Sequence, residues 1–206
     1  MNTHLNTLGS TQLSISGNRE DLDFYQTPSY ATKTLIERFD FKTRSILEPM
    51  AGNGAIAQVF KDAGYDVSCY DIVKRKYPVF VSDYFTVSKH LINESDNFAI
   101  VTNPPYELAN KFLKYTLEKI RPRTCCVFLP IRYLEGQARY KEIYSKYKPC
   151  KVLVYSQRLG CFKESDIEAG RVNERGVGGA VAYMWLCFDR DAWSKKDTKT
   201  EIEWVP

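Results

Sequence analysis

Apolar positions along this chain fall into short runs, separated by segments of helical spacing. Runs at 45–49 (SILEP), 66–71 (DVSCYD), 77–83 (YPVFVSD), 97–103 (NFAIVTN), 124–130 (TCCVFLP), 151–156 (KVLVYS) and 180–189 (AVAYMWLCFD) predict seven strands. Between the first two, AIAQVFKDAG (55–64) sets Ala55, Ile56, Val59, Phe60 and Ala63 on one helical face and stops at Gly64, a natural C-terminal cap. The same period predicts helices over 107–120 and 135–147. Strand–helix alternation with nearly unbroken apolar strands implies an α/β fold, a mostly parallel sheet with helices on both faces. Only the loop 157–179 joins the sixth and seventh runs, so the seventh strand is expected antiparallel beside the sixth. Ligands in such sheets sit beyond the carboxyl ends of the strands. The residues of unusual chemistry fall at those ends.

The first strand runs into LEPMAGNGAIA. Glu48 ends it, and Ala51, Gly52 and Gly54 make a tight turn into a helix. Small residues let a ligand approach the backbone, and the helix start offers free N–H groups. An acid ahead of the turn disfavours a pyrophosphate, but suits a sulfonium ligand that carries an ammonium group. Asp71 ends the second strand, where a carboxylate can accept from both ribose hydroxyls. Asp83 ends the third and could accept from an exocyclic adenine amine, with Tyr84 or Phe85 packed on the ring. Each acid alone would serve as a turn cap; three at consecutive strand ends beside one glycine turn point to a nucleoside cofactor.

The fourth strand ends IVTNPPYELANKF (100–112). An exocyclic amine conjugated to a ring is a poor nucleophile, and two acceptors on its N–H bonds favour the pyramidal form that attacks. The Asn103 side-chain carbonyl and the Pro104 carbonyl can be those acceptors. Pro104 and Pro105 fix φ, so the second is aimed without an ordering cost. Tyr106 offers a flat face for a base. Such a site is preorganised electrostatics, with neither nucleophile nor metal.

These residues resemble the S-adenosylmethionine-dependent N6-adenine DNA methyltransferases. NPPY is similar to their catalytic motif and EPMAGNG to their glycine motif. DFYQTP (23–28), ahead of the first helix, is similar to the segment near the cofactor's methionine end. The stretch VTNPPYELANKF…LPIRYLEGQAR is similar to small phage and prophage enzymes, and cofactor motifs precede the catalytic motif as in the gamma group. The resemblance, over about residues 21–160, implies a Rossmann-like class I methyltransferase fold of seven strands with the last antiparallel. It implies S-adenosyl-L-methionine held by Glu48, Ala51, Gly52, Gly54, Asp71 and Asp83, with Tyr25, Thr27 and Pro28 over its methionine end. Asn103, Pro104, Pro105 and Tyr106 would hold the amine of an adenine flipped out of DNA. Family members that read a DNA sequence usually carry a separate recognition domain; here only the arm 1–20 and the loop 157–179 are free for that role.

Composition narrows the setting. A length of 206 residues fits one domain over 21–206, with residues 1–20, rich in Ser, Thr, Asn and Gly, as a flexible arm. No apolar run is long enough for a membrane span. No signal-like apolar segment stands out and no Cys-x-x-Cys occurs among the six cysteines, so free thiols in the cytoplasm are expected. Cys150, in KPC, sits at the start of the sixth strand and reads as structural. With two histidines a zinc site is not expected. From Lys111 to Lys151 eleven Lys and Arg face three acids, which predicts a nucleic-acid-facing surface over 111–151. Three other readings remain open: methylation of an adenine in structured RNA, methylation of a glutamine amide, for which NPPY also serves, and a non-catalytic binding module.

Overall fold

The computed structural model describes residues 25–86, 97–162, 167, 169–171, 173, 179–193, 195 and 197–206. The expected arm 1–20 and most of residues 163–178 lie outside the described residues.

Among the described residues eight strands form one sheet in the order β3-β2-β1-β4-β5-β7-β6-β8. They are β1 (Ser45–Glu48), β2 (Asp66–Asp71), β3 (Phe80–Val81), β4 (Ala99–Thr102), β5 (Thr124–Pro130), β6 (Lys151–Tyr155), β7 (Tyr183–Asp189) and β8 (Glu201–Val205). Strands β3, β2, β1, β4 and β5 are mutually parallel. Strand β7 is antiparallel to both neighbours, β5 and β6, and wedges between them. The α/β, mostly parallel sheet is therefore as expected, and the strand after the 157–179 loop is antiparallel.

The strand count is corrected from seven to eight. Strand β8 pairs parallel with β6 at the sheet edge, its five residues in register with Lys151 to Tyr155. Its EIEWV pattern escapes an apolar-run reading because Ile202 and Trp204 face outward and only Val205 is buried. The third strand shrinks from 77–83 to Phe80–Val81, at the opposite edge.

The alternation of β4, β5 and β7 divides the core in two. Ile100, Val127 and Leu186 face one side and pack with Phe112, Leu113 and Leu117. Val101, Phe128 and Trp185 face the other and pack with Leu35, Phe41 and Phe60. The first side carries α3 (Ala109–Tyr115), extended by a π-helical turn Thr116–Ile120, and α4 (Gln137–Arg139), extended likewise through Tyr144. The second carries α1 (Ser29–Arg38) and α2 (Ala55–Asp62). The Ala31 carbonyl of α1 accepts from both Trp185 Nε1 and the Tyr155 hydroxyl at 2.9 Å, pinning α1 to the sheet. Among the described residues, no helix is long and apolar enough to cross a membrane.

Candidate active site

The strand ends of β1, β2 and β4 and the turn after β3 open onto one cavity of about 400 Å³. Glu48, Asp71, Asp83 and Asn103 all line it, so four residues far apart in sequence share one space. Tyr25, Thr27, Ala51, Gly52, Tyr84 and Pro105 also line it. Pro28, Gly54, Pro104 and Tyr106 are not among the residues that line it.

The glycine turn is shaped by two left-handed residues, Gly52 at φ 53° and Gly54 at φ 75°. The Gly52 N–H donates to Asp71 Oδ2 at 2.7 Å and the Val73 N–H to Asp71 Oδ1 at 2.8 Å, which sets the carboxylate's position. At Gly54 a Cβ would lie 2.3 Å from the Tyr77 ring, so close packing as well as φ demands glycine. Gly54 is thus a packing position beneath the turn, and Gly52 is the glycine of the two that lines the cavity.

Glu48 is 2% exposed and its Oε2 has no hydrogen-bond partner among the described residues. Burial, with a smaller push from the Asp71 charge, raises its carboxyl well above the usual carboxylate range, and the Ala57 backbone N–H offsets this in part. A buried acceptor with no partner, at a cavity wall, is a site for a cationic or N–H-bearing group. Cys69, nearby, has its thiol pushed up to about 11 by burial and by Glu48, so it stays protonated and inert.

Asp83 Oδ1 accepts the Phe85 N–H at 2.9 Å. Tyr84, expected with Phe85 as an alternative for packing on the adenine ring, touches the cavity but packs mainly into the core. It is 3% exposed, its ring meets Phe85, Phe112 and Tyr115, and its hydroxyl pairs with Thr116 Oγ1 at 2.9 Å. Its half-buried neighbour Phe85 is the aromatic available at the wall, with the Lys111 ammonium 4.0 Å above its ring.

Asn103 follows β4 and is held by the segment ahead of α1. Its Nδ2 donates to the Tyr25 carbonyl and to Thr27 Oγ1, each at 3.0 Å. Pro28, expected over a cofactor, is buried and caps α1, its carbonyl accepting the Ala31 N–H at 3.0 Å. Pro105 precedes a 3-10 turn, Tyr106–Leu108, that opens α3. Tyr106 is braced on three sides. Its hydroxyl donates to the Tyr183 hydroxyl at 2.9 Å, its carbonyl accepts from the Tyr133 hydroxyl at 2.6 Å, and its ring lies parallel to that of Tyr25 with centroids 5.9 Å apart. The face expected to be open to a base is covered by Tyr25 here. Burial raises the Tyr106 hydroxyl far beyond physiological pH, so it stays neutral.

The basic stretch 111–151 is not one surface. Arg123 just precedes β5 and Lys151 opens β6, which runs parallel to β5, so both lie at the edge opposite Asn103. Arg123 pairs with Asp191 at 2.6 Å and Lys151 with Glu203 at 2.7 Å. Lys114 pairs with Glu142 and Lys146 with Glu118 across the α3–α4 face. Arg139 donates to the Glu135 and Arg132 carbonyls and caps the Tyr133 ring, a brace for the turn after β5. Of the cations in 111–151, Lys111 lines the cavity and Arg132 is exposed in the turn after β5, at the same edge of the sheet. Cys150 lies at the far edge, its Sγ 3.4 Å from the Cys187 carbonyl and its thiol pushed by burial to about 12, a structural thiol.

Sequence reading missed Tyr133 and Tyr183. They brace Tyr106 from the turn after β5 and from the first residue of β7, and nothing in linear spacing announces such a contact. Lys111 had a signal: it lies two turns past Pro104, on the helix that NPPY opens.

No protein-family model matches the chain, and no curated protein matches it by sequence. Solved structures do. A modification subunit assigned to a type I restriction enzyme from Vibrio vulnificus YJ016 aligns with a TM-score of 0.56 and 14% identity, over 91% of this chain and 49% of that one. The chain thus spans about half the length of that subunit. A protein assigned as an RNA methyltransferase from Pyrococcus horikoshii aligns at 0.56 and 14%, over 84% of this chain and 90% of that one. A predicted O-methyltransferase from Agrobacterium tumefaciens aligns at 0.51 and 12%, over 86% and 85%. At these identities the likeness is one of fold: this chain has the Rossmann-like α/β fold found in methyltransferases.

Proposed function

We propose that the chain is an S-adenosylmethionine-dependent methyltransferase acting on the exocyclic N6 amine of adenine, with DNA as the substrate. The observation that carries this reading is the sharing of one cavity by Asn103 at one end and by Glu48 and Asp71 at the other. The cofactor fits the residues present. Buried Glu48, with its unpartnered Oε2, suits the ammonium of the methionine end. Asp71, fixed by two backbone N–H groups, suits the ribose hydroxyls, and Asp83 with Phe85 suits the adenine. Bound there, S-adenosylmethionine supplies an electrophilic methyl on a sulfonium.

The chain's own task is to prepare the amine. Acceptors at Asn103 Oδ1 and the Pro104 carbonyl hold its two N–H bonds and localise the nitrogen lone pair. A methyl passing from sulfur to this nitrogen would leave the S–C electron pair on sulfur, and the nitrogen's surplus proton would go to water while Asn103 and Pro104 hold the amine. An adenine in a duplex reaches such a recess only by flipping out, at a cost of a few kcal/mol. Seating it on Tyr106 requires Tyr25 to move aside, because two stacking gaps need about 7 Å and the two centroids are 5.9 Å apart.

The test is transfer of a tritiated methyl from S-adenosylmethionine to DNA, RNA and protein, followed by nucleoside and amino-acid analysis. Label in N6-methyladenine of DNA is expected. Label in RNA adenine or in a glutamine amide moves the substrate to that class. No transfer, with no cofactor binding by calorimetry, overturns the reading.

A further inference from the structure

Asparagine's amide is nearly symmetric in shape and opposite in chemistry at its two ends. Oriented one way, Asn103 offers a carbonyl oxygen to an incoming amine; flipped, it offers an NH2 that the amine's own N–H groups would repel. Something must choose between the two.

We propose that Thr27 and the Tyr25 carbonyl are the positioning elements that set this choice. The inference rests on the reading of Asn103 as the amine's acceptor, and it gives Thr27 a role other than holding the cofactor. A backbone carbonyl only accepts, so the atom of Asn103 facing Tyr25 at 3.0 Å must be the NH2 nitrogen. The second N–H goes to Thr27 Oγ1, also at 3.0 Å. Both donors are used, and Oδ1 is left as the amide's acceptor toward the cavity that Asn103 lines. The orientation follows from chemistry and does not depend on telling nitrogen from oxygen by shape.

The holding segment is itself anchored at both ends. Gln26 exchanges two backbone hydrogen bonds with Phe162, at 2.8 and 3.2 Å, in an isolated antiparallel bridge. Pro28 begins α1, which the sheet pins at Ala31. Between these anchors Thr27 is 2% exposed. Its hydroxyl is therefore a buried polar group whose partner is Asn103. The Tyr25 ring, stacked on Tyr106, shows that the same three residues support both halves of the NPPY loop.

The test pairs a measurement without substrate and one with it. In nitrogen-15 NMR of the full chain, the Asn103 side-chain NH2 should exchange slowly with solvent. In Thr27→Val, which keeps the side chain's shape, exchange should speed by tenfold or more; Thr27→Ser should restore protection. In single-turnover transfer to an adenine-containing oligonucleotide, Thr27→Val should slow the methyl-transfer step about tenfold, the order of loss for a displaced catalytic group. Cofactor affinity should stay within twofold and the melting temperature near that of the parent. In the Asn103→Ala background Thr27→Val should have no further effect on the rate, since the group it orients is gone. Unchanged NH2 exchange in Thr27→Val overturns the proposal. So does an equal rate loss with and without Asn103, or a loss that appears in cofactor affinity. A chain that never methylates adenine but shows the exchange effect refutes the adenine reading and leaves the positioning role standing.

Discussion

At the residue scale, Asn103 and Glu48 carry the two ends of the site. Asn103→Ala removes an acceptor that matters most as the amine pyramidalises, so single-turnover transfer should slow by roughly 100-fold or more with cofactor affinity nearly intact. Glu48 gives a pH signature. Its folded-state carboxyl titrates well above the usual value, so between the two values the folded chain binds more protons than the unfolded one. Stability should then fall as pH rises through that window, and Glu48→Gln should remove this slope. S-adenosylmethionine, by bringing a cation to Glu48, should also flatten it. Thermal unfolding across pH, with and without ligand, checks both. Tyr106→Phe keeps the stacking face but removes the hydrogen bond that the buried Tyr183 hydroxyl accepts at 2.9 Å, leaving it the Cys161 thiol as partner. It should cost about 1 kcal/mol of stability while sparing the rate; a large rate loss would give the hydroxyl a part in the chemistry.

At the scale of elements, the turn after β5 deserves its basic residues for two different reasons. Arg139 is consumed by the Glu135 and Arg132 carbonyls and the Tyr133 ring, and Tyr133 in turn holds the Tyr106 carbonyl. Arg139→Ala should therefore lower activity by loosening the NPPY loop, with little change in the salt dependence of DNA binding. Arg132, exposed in the turn after β5, is the phosphate candidate. Arg132→Glu should weaken DNA binding and reduce the slope of log affinity against log salt by about 1. Arg123→Glu, at the far edge and paired with Asp191, should cost stability and leave that slope alone. Equal effects from both would return the charges to one undivided surface.

For the whole molecule, the sheet's two edges differ. Strand β3 is two residues long and sits beside the cavity; β8 is five residues long and remote from it. Removing 201–206 would unpair the outer side of β6, expose the Val205 site and release Lys151 from Glu201 and Glu203. At ~2–4 °C per kcal/mol for a chain of this size, and with one buried Val alone worth ~1.5–3 kcal/mol, melting should drop by ~5–10 °C. Methyl transfer at low temperature should persist, because no residue of β8 lines the cavity. Loss of activity in a truncated chain that still melts cooperatively would tie β8 to the site.

The apolar runs by themselves determined the α/β class, since β4, β5 and β7 are buried on both faces and have to be apolar throughout. They also set the strand-end positions of Glu48, Asp71, Asp83 and Asn103, because a period of two or an unbroken run ends where its chemistry changes. Strand β8 was hidden, as an edge strand exposes half its residues and loses the apolar signature. Only the tertiary structure decided which candidates face the cavity. Tyr84 and Phe85 are adjacent and similar and both reach the cavity, but packing against Phe112 buries Tyr84 almost wholly and leaves Phe85 half-buried at the wall. Likewise the eleven cations of 111–151 are neighbours in sequence, but a strand crosses the molecule, so its two ends deliver charge to opposite edges. The orientation of Asn103 lay furthest from the sequence. It depends on a carbonyl 78 residues away and on the Thr27 hydroxyl; a backbone carbonyl is an acceptor every residue carries, so of the two partners only Thr27 is a choice of side chain, and its reach to Asn103 is set by the fold.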